Sequence, residues 1–63
     1  MSTIKQQAHQ LRRQLAGRRE SAHKQMALRR LRDCLLFDSK GLDDLAQTRL
    51  IEARQLSQFA MEV

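Results

Sequence analysis

The feature that most constrains the fold is the near absence of residues that break helices. The chain of 63 residues contains no proline and only two glycines, Gly17 and Gly41. Most of the other residues are strong helix formers such as Leu, Ala, Arg, Gln, Lys, Met and Glu. The sequence therefore predicts an all-α protein in which the two glycines mark the places where a helix can bend or end.

Gly41 lies in a polar cluster between two segments that have helical apolar spacing. This cluster predicts a turn over residues 38–42. We expect Gly41 to end the first helix in the left-handed conformation, with Leu42 folding back on the last turn of that helix. Asp43 and Asp44 would then stand in the first turn of the next helix, where carboxylates stabilise the positive end of the helix dipole.

The apolar residues on either side of this turn predict a helical hairpin of two amphipathic helices. We expect one small domain over residues 1–63, with an Arg-rich helix over residues 1–37 and an amphipathic helix over residues 43–62. Near Gly17 the apolar face of the first helix changes direction. Either Gly17 bends or breaks this helix, which gives three helices, or the helix runs straight. The straight form is slightly favoured, because an internal glycine costs only about 1 kcal/mol relative to alanine.

The first half of the Arg-rich helix carries an apolar stripe that the predicted hairpin does not cover. We call it the N-terminal stripe, and its members are Ile4, Ala8, Leu11 and Leu15. On a straight helix it projects beyond the shorter second helix as exposed apolar surface. A chain this short also buries only about 60% of the surface that it exposes when unfolded. Both arguments predict that dimerisation or a partner helix completes the fold.

Positive charge is concentrated in the first 37 residues. Nine Lys and Arg against two Asp and Glu give this segment a net charge of +7, and the remaining 26 residues bring the whole chain to +5. On a continuous helix, four basic residues at spacings of 7 and 11 residues fall on one line. These are Lys5, Arg12, Arg19 and Arg30. This basic row would span about 38 Å, comparable with one turn of B-DNA at ~34 Å.

The basic row and the arginines beside it predict a surface that binds phosphate groups. A guanidinium group binds phosphate through two parallel hydrogen bonds, and few acidic residues lie one helical turn away to neutralise these arginines. The alternative is a solvated helix face whose arginine stems cover apolar surface. The predicted anion-binding residues are Lys5, Arg12, Arg13, Arg18, Arg19, Arg29 and Arg30.

Two functional hypotheses follow from these features. The first is a non-enzymatic, self-associating regulatory protein whose Arg-rich helix contacts a polyanion, RNA or DNA. Because the chain has no Tyr and no Trp to stack on bases, such binding should depend on shape and salt more than on base sequence. The second is a protein-binding hairpin, such as an adaptor, an inhibitor or a secretion co-chaperone, that grips a partner protein through the N-terminal stripe.

No residue pattern predicts catalysis, a cofactor or a metal site. His9 and His23 have no Cys or carboxylate at ligand spacing, and Cys34 belongs to an apolar face where a free thiol acts as a small hydrophobe. We therefore expect no enzymatic activity, no cofactor and no small-molecule substrate. The lone cysteine, with no secretory signal and no apolar run long enough to cross a membrane, predicts a soluble cytoplasmic protein.

The segment from Ser21 to Val63, with its turn around Gly41, resembles two kinds of small helical-hairpin protein. One kind is the Rop-type plasmid copy-number regulators, which dimerise and bind RNA. The other is the hairpin co-chaperones of type III secretion needle subunits. The resemblance is one of size and layout, and no functional residue is carried over from either family.

Overall fold

The computed structural model describes residues 3–61, which form three α-helices. α1 spans Ile4–Ala16, α2 spans Ala22–Ser39 and α3 spans Asp43–Met61. The expected all-α fold is confirmed for this part of the chain. The straight helix over residues 1–37 is wrong, because that segment forms two helices separated by a non-helical connection. The outermost residues of the predicted segments, at positions 1, 2, 62 and 63, lie outside the described residues.

α1 begins with a capping box that the sequence analysis did not identify. The Thr3 hydroxyl accepts a hydrogen bond from the backbone N–H of Gln6 at 3.1 Å. In return, the Gln6 side-chain oxygen accepts one from the backbone N–H of Thr3 at 3.0 Å. Two N–H groups that would otherwise lack partners at the helix start are thereby satisfied, which fixes where α1 begins.

The chain leaves the helical conformation after α1 because the following segment makes local hydrogen bonds that a continuous helix does not allow. The Ser21 hydroxyl caps α2 by accepting the backbone N–H of Lys24 at 3.1 Å. The buried Lys24 ammonium donates to the backbone carbonyl oxygen of Arg18 at 3.0 Å and pairs with the Glu20 carboxylate at 2.8 Å. A serine cap alone contributes about 1 kcal/mol, enough to offset the modest gain of continuing a helix through a glycine.

The connection from α2 to α3 is a Schellman turn centred on Gly41. Its φ of 76° is the left-handed conformation predicted for it. The backbone N–H of Leu42 donates to the carbonyl oxygen of Phe37 at 2.9 Å, and that of Gly41 donates to the carbonyl oxygen of Asp38 at 3.1 Å. α3 starts at once with two carboxylates in its first turn.

α2 and α3 lie side by side and antiparallel. Near the start of α2, the His23 ring stacks on Phe59 near the end of α3, with ring centroids 5.2 Å apart. Halfway along the pair, the Arg30 Nε lies 3.9 Å from a carboxylate oxygen of Glu52. α1 packs against both of these helices. The result is a three-helix arrangement instead of the expected two-helix hairpin.

The N-terminal stripe lies in the core of this arrangement. Ala8 and Leu15 are fully buried, Leu11 is 8% exposed, and Ile4 is partly buried against the same core. The expectation that the stripe projects uncovered is wrong, because it assumed a straight first helix. The break after α1 turns this helix back onto α2 and α3, so the chain covers the stripe itself.

The core is made of small side chains as well as leucines. Five of its ten buried apolar residues are alanines, and α3 contributes three of them. The full set is Ala8, Leu11, Leu15, Ala27, Leu31, Cys34, Ala46, Leu50, Ala53 and Ala60. Partly buried leucines and Phe37 surround this set.

Candidate anion-binding surface

The basic side chains divide into three that pair with carboxylates and a larger exposed set that does not. Lys24 pairs with Glu20, while Arg30 and Arg49 both pair with Glu52. These are the ion pairs in the described part of the chain. The exposed basic residues that have no carboxylate partner there are Lys5, Arg12, Arg13, Arg18, Arg19, Arg29, Arg32, Lys40 and Arg54.

Glu20 is the only acidic residue before Asp33, and its negative charge is already paired within the chain. Hydrogen bonds from Lys24 and from Gln25, together with the positive charge of Lys24, hold the pKa of the Glu20 carboxyl below its usual value. Because Lys24 compensates this carboxylate, Glu20 does little to reduce the positive potential around the arginines next to it.

The basic row predicted from the sequence does not form. Arg18 and Arg19 lie in the connection between α1 and α2, where the helical spacing is interrupted. A single line of cations needs an unbroken helix from Lys5 to Arg30, so the predicted 38 Å ridge is wrong. The other predicted anion-binding residues are exposed and, in the described part of the chain, unpaired with carboxylates, whereas Arg30 is half-buried and faces Glu52.

α1 nevertheless carries positive charge on one side and neutral polar groups on the other. Lys5 and Arg12 are seven residues apart, close to two helical turns, and lie together beside the buried stripe. Arg13 points away from the core. On the opposite side of α1, the Gln7 side-chain oxygen accepts a hydrogen bond from Arg54 of α3. The basic side of α1 is therefore the side that borders α2.

An apolar groove of about 320 Å³ lies between α1 and α2, and we call it the Leu groove. Leu28, Leu31 and Leu35 form its floor. Arg12 reaches it from α1 and Arg32 reaches it from α2, and neither guanidinium group has a partner in the described residues. The groove thus joins apolar surface to two uncompensated positive charges.

The sequence analysis missed Arg32, although its spacing contained the signal. Arg32 follows Leu28 by four residues and precedes Leu35 by three, so it lies on the same side of α2 as both leucines. The analysis also missed Ser21, whose position three residues before Lys24 is the spacing of an N-cap and its bonded N–H. Recognising that cap would have located the break in the first helix.

The remaining candidates take part in packing. The His23 ring stacks on Phe59, and Cys34 is fully buried. Burial, with a smaller contribution from Asp38, raises the pKa of the Cys34 thiol, which keeps it protonated and unreactive at neutral pH. Across residues 3–61, no three His, Cys, Asp or Glu side chains come together where they could hold a metal ion. None of the described helices is long and apolar enough to cross a membrane.

Comparison of the chain with protein-family models, with curated proteins and with solved structures finds no match. The segment from Ser21 onward, which resembles Rop-type regulators and needle-subunit co-chaperones in layout, contains α2 and α3, and α1 precedes it as a third helix.

Proposed function

We propose that this protein is a small, non-enzymatic regulatory protein that binds RNA or DNA through its exposed arginines. The observation that supports the proposal is that residues 3–19 contain five exposed Lys and Arg and no Asp or Glu. In α2, Arg32 lies at the same groove as Arg12, and Arg29 is a further exposed cation. We call the whole set the basic surface, and it consists of Lys5, Arg12, Arg13, Arg18, Arg19, Arg29 and Arg32. Arg30 is left out because it faces Glu52.

The dimensions of the molecule limit how much nucleic acid this surface reaches. The protein measures 34 × 20 × 14 Å, and the 13 residues of α1 extend about 20 Å at 1.5 Å per residue. One turn of B-DNA rises ~34 Å, so one copy of the protein contacts phosphates over less than a full turn. Each phosphate contact releases condensed counterions, which makes the affinity fall steeply as salt is added.

The chemistry of the surface favours contact with the phosphate backbone over reading of bases. Arginine predominates, and its planar fork pairs with phosphate oxygens. The chain has no Tyr and no Trp, Phe59 is occupied by its stack on His23, and Phe37 is half-buried. Few aromatic rings in the described part of the chain are therefore available as platforms on which bases could stack. The buried, unpaired thiol of Cys34 fits a reducing compartment such as the cytoplasm.

The alternative hypothesis, a partner protein gripped by Ile4, Ala8, Leu11 and Leu15, gains no support from the fold. Three of these side chains are buried in the core of the protein itself. A partner could reach them only after α1 had separated from α2 and α3. The self-association expected for the regulatory protein also needs a different surface.

The test measures the binding of random-sequence RNA and duplex DNA to the full chain by fluorescence anisotropy over a series of salt concentrations. Replacing Arg18 and Arg19 with alanine should weaken binding about tenfold and should lower the salt dependence by the equivalent of about two phosphate contacts. The matched control replaces Lys40 and Arg54, which removes the same charge from outside the basic surface. An undetectable complex at ~50 mM salt, or equal losses in both variants, would overturn the proposal.

A further inference from the structure

The start of α3 presents exposed leucines and unpaired carboxylates together. Leu42 is 43% exposed and Leu45 is 45% exposed. Between them, the side chains of Asp43 and Asp44 are exposed, and their carboxylates make no hydrogen bond or ion pair in the described part of the chain. We call these four residues the acidic tip. Its leucines are nearly half exposed and its carboxylates have no ionic partner in the described part of the chain, so it offers both apolar area and negative charge to a partner.

The Leu groove has the complementary chemistry. Its floor is leucine, and its two arginines, Arg12 and Arg32, have no partner within the described chain. Leucines of the acidic tip fit an apolar floor, and carboxylates form strong charge-assisted hydrogen bonds with guanidinium groups. Within one molecule the two features do not meet, since no ion pair joins either arginine to Asp43 or Asp44.

We infer that the Leu groove binds the acidic tip of a second copy of the chain, with Arg12 and Arg32 facing Asp43 and Asp44 of that copy. Every chain carries one groove and one tip, so a two-fold dimer contains this contact twice. The groove runs along the middle of α2 and ends at Leu35, about one helical turn before α2 ends at Ser39. The acidic tip begins three residues after that end, so the groove and the tip are close along the chain, which suits reciprocal insertion around one two-fold axis.

This dimer goes beyond nucleic-acid binding and does not depend on it. The contact uses charges and leucines that the protein itself supplies, so it forms when no nucleic acid is present. The N-terminal stripe was expected to mediate self-association but is buried, so the dimer contact uses the Leu groove and the acidic tip instead. Of the basic surface it uses only Arg12 and Arg32, which leaves the arginines of the α1–α2 connection free to contact phosphate.

The experiment exchanges the charges of the two surfaces and measures self-association by sedimentation equilibrium in low salt. The protein is first freed of nucleic acid. The groove variant carries Arg12→Glu and Arg32→Glu, and the tip variant carries Asp43→Arg and Asp44→Arg. We expect the unchanged chain to dimerise in a concentration-dependent manner. Each variant alone should bind itself at least about tenfold more weakly, because like charges then face each other at both contacts.

Mixing the two variants restores opposite charges at both contacts, so the equimolar mixture should dimerise as the unchanged chain does. A matched mixture replaces the groove variant with Arg13→Glu/Arg19→Glu, which has the same net charge but an unaltered groove. The Arg13→Glu/Arg19→Glu variant still dimerises with itself, so association is followed through a fluorescent label on the tip variant. With this partner the labelled tip variant has one complementary contact and one repulsive contact, and it should bind at least about tenfold more weakly than it binds the groove variant.

Circular dichroism of each variant verifies that the helices are formed, and a restored dimer in the mixture shows independently that both variants are folded. Three results would overturn the inference. One is an unchanged chain that stays monomeric at every concentration, and another is a dimer that neither reversal weakens. The third is a labelled tip variant that binds the groove variant no better than it binds the Arg13→Glu/Arg19→Glu variant.

Discussion

The two connections between helices differ in what holds them. The α2–α3 connection is set by the backbone, because Gly41 has a φ of 76° and the turn is closed by backbone hydrogen bonds. The α1–α2 connection is set by side chains, with Ser21 capping α2 and the Lys24 ammonium bound to the Arg18 carbonyl oxygen and to Glu20. A turn that needs a positive φ is visible in the sequence as a glycine. A turn built from side-chain hydrogen bonds is not visible in that way.

The largest effect is expected from breaking the connection that depends on side chains. Lys24→Ala removes a buried ammonium group, leaves the Arg18 carbonyl oxygen without its donor and opens space in the core. We expect a loss of about 2 to 3 kcal/mol in the free energy of unfolding. In a domain of this size, such a loss lowers the midpoint of thermal unfolding by about 10 °C or more. Circular dichroism at rising temperature measures it.

The two glycines sharpen the comparison, because the same substitution should act in opposite directions. Gly41→Ala forces a side chain into a left-handed conformation and should cost about 1 to 2 kcal/mol, although a new Cβ would meet no atom within 4 Å. Gly17 has a φ of −85°, and a Cβ there would approach only the Gln14 carbonyl oxygen at 3.9 Å. Gly17→Ala should therefore stabilise the fold by about 0.5 kcal/mol. Equal losses in the two variants would contradict this contrast.

The smallest effect concerns the charge of Glu20. The Lys24 hydrogen bond lowers the pKa of Glu20 in the folded protein, so the folded state favours the carboxylate more than the unfolded state does. The resulting stability is present above the unfolded-state pKa and is lost as the pH falls through the lowered folded-state pKa. Glu20→Gln should be slightly less stable than the unchanged chain at pH 7, and the difference should shrink below about pH 4. A difference independent of pH would show that the charge of Glu20 is not involved.

Much of the fold was predictable because it rests on periodic or single-residue signals. The helix formers indicate an all-α chain, the spacing of Ile4, Ala8, Leu11 and Leu15 identifies an apolar face, and Gly41 marks a left-handed turn. The prediction failed in the choice between a bent and a straight first helix. That choice considered only the cost of placing Gly17 inside a helix. It omitted the Ser21 cap, which favours the break.

The excess of positive charge was also predictable, but the grouping of the cations was not. A count of Lys and Arg against Asp and Glu gives the same excess of positive charge whichever residues end the helices. Which arginines share a surface depends on the path of the chain, and the break separates Arg12 from Arg30 while bringing Arg12 beside Arg32 across the Leu groove. Likewise, only the fold shows that Glu52 faces Arg30, since these residues lie on different helices.

The alanines of the core have a thermodynamic consequence. Alanine loses no rotamer freedom when it is buried, so five of the ten core positions are ordered at little cost in side-chain entropy. The same residues remove little apolar area from water, and it is this area that sets the heat capacity change of unfolding. The stability of this protein should accordingly vary gently with temperature, with a broad maximum.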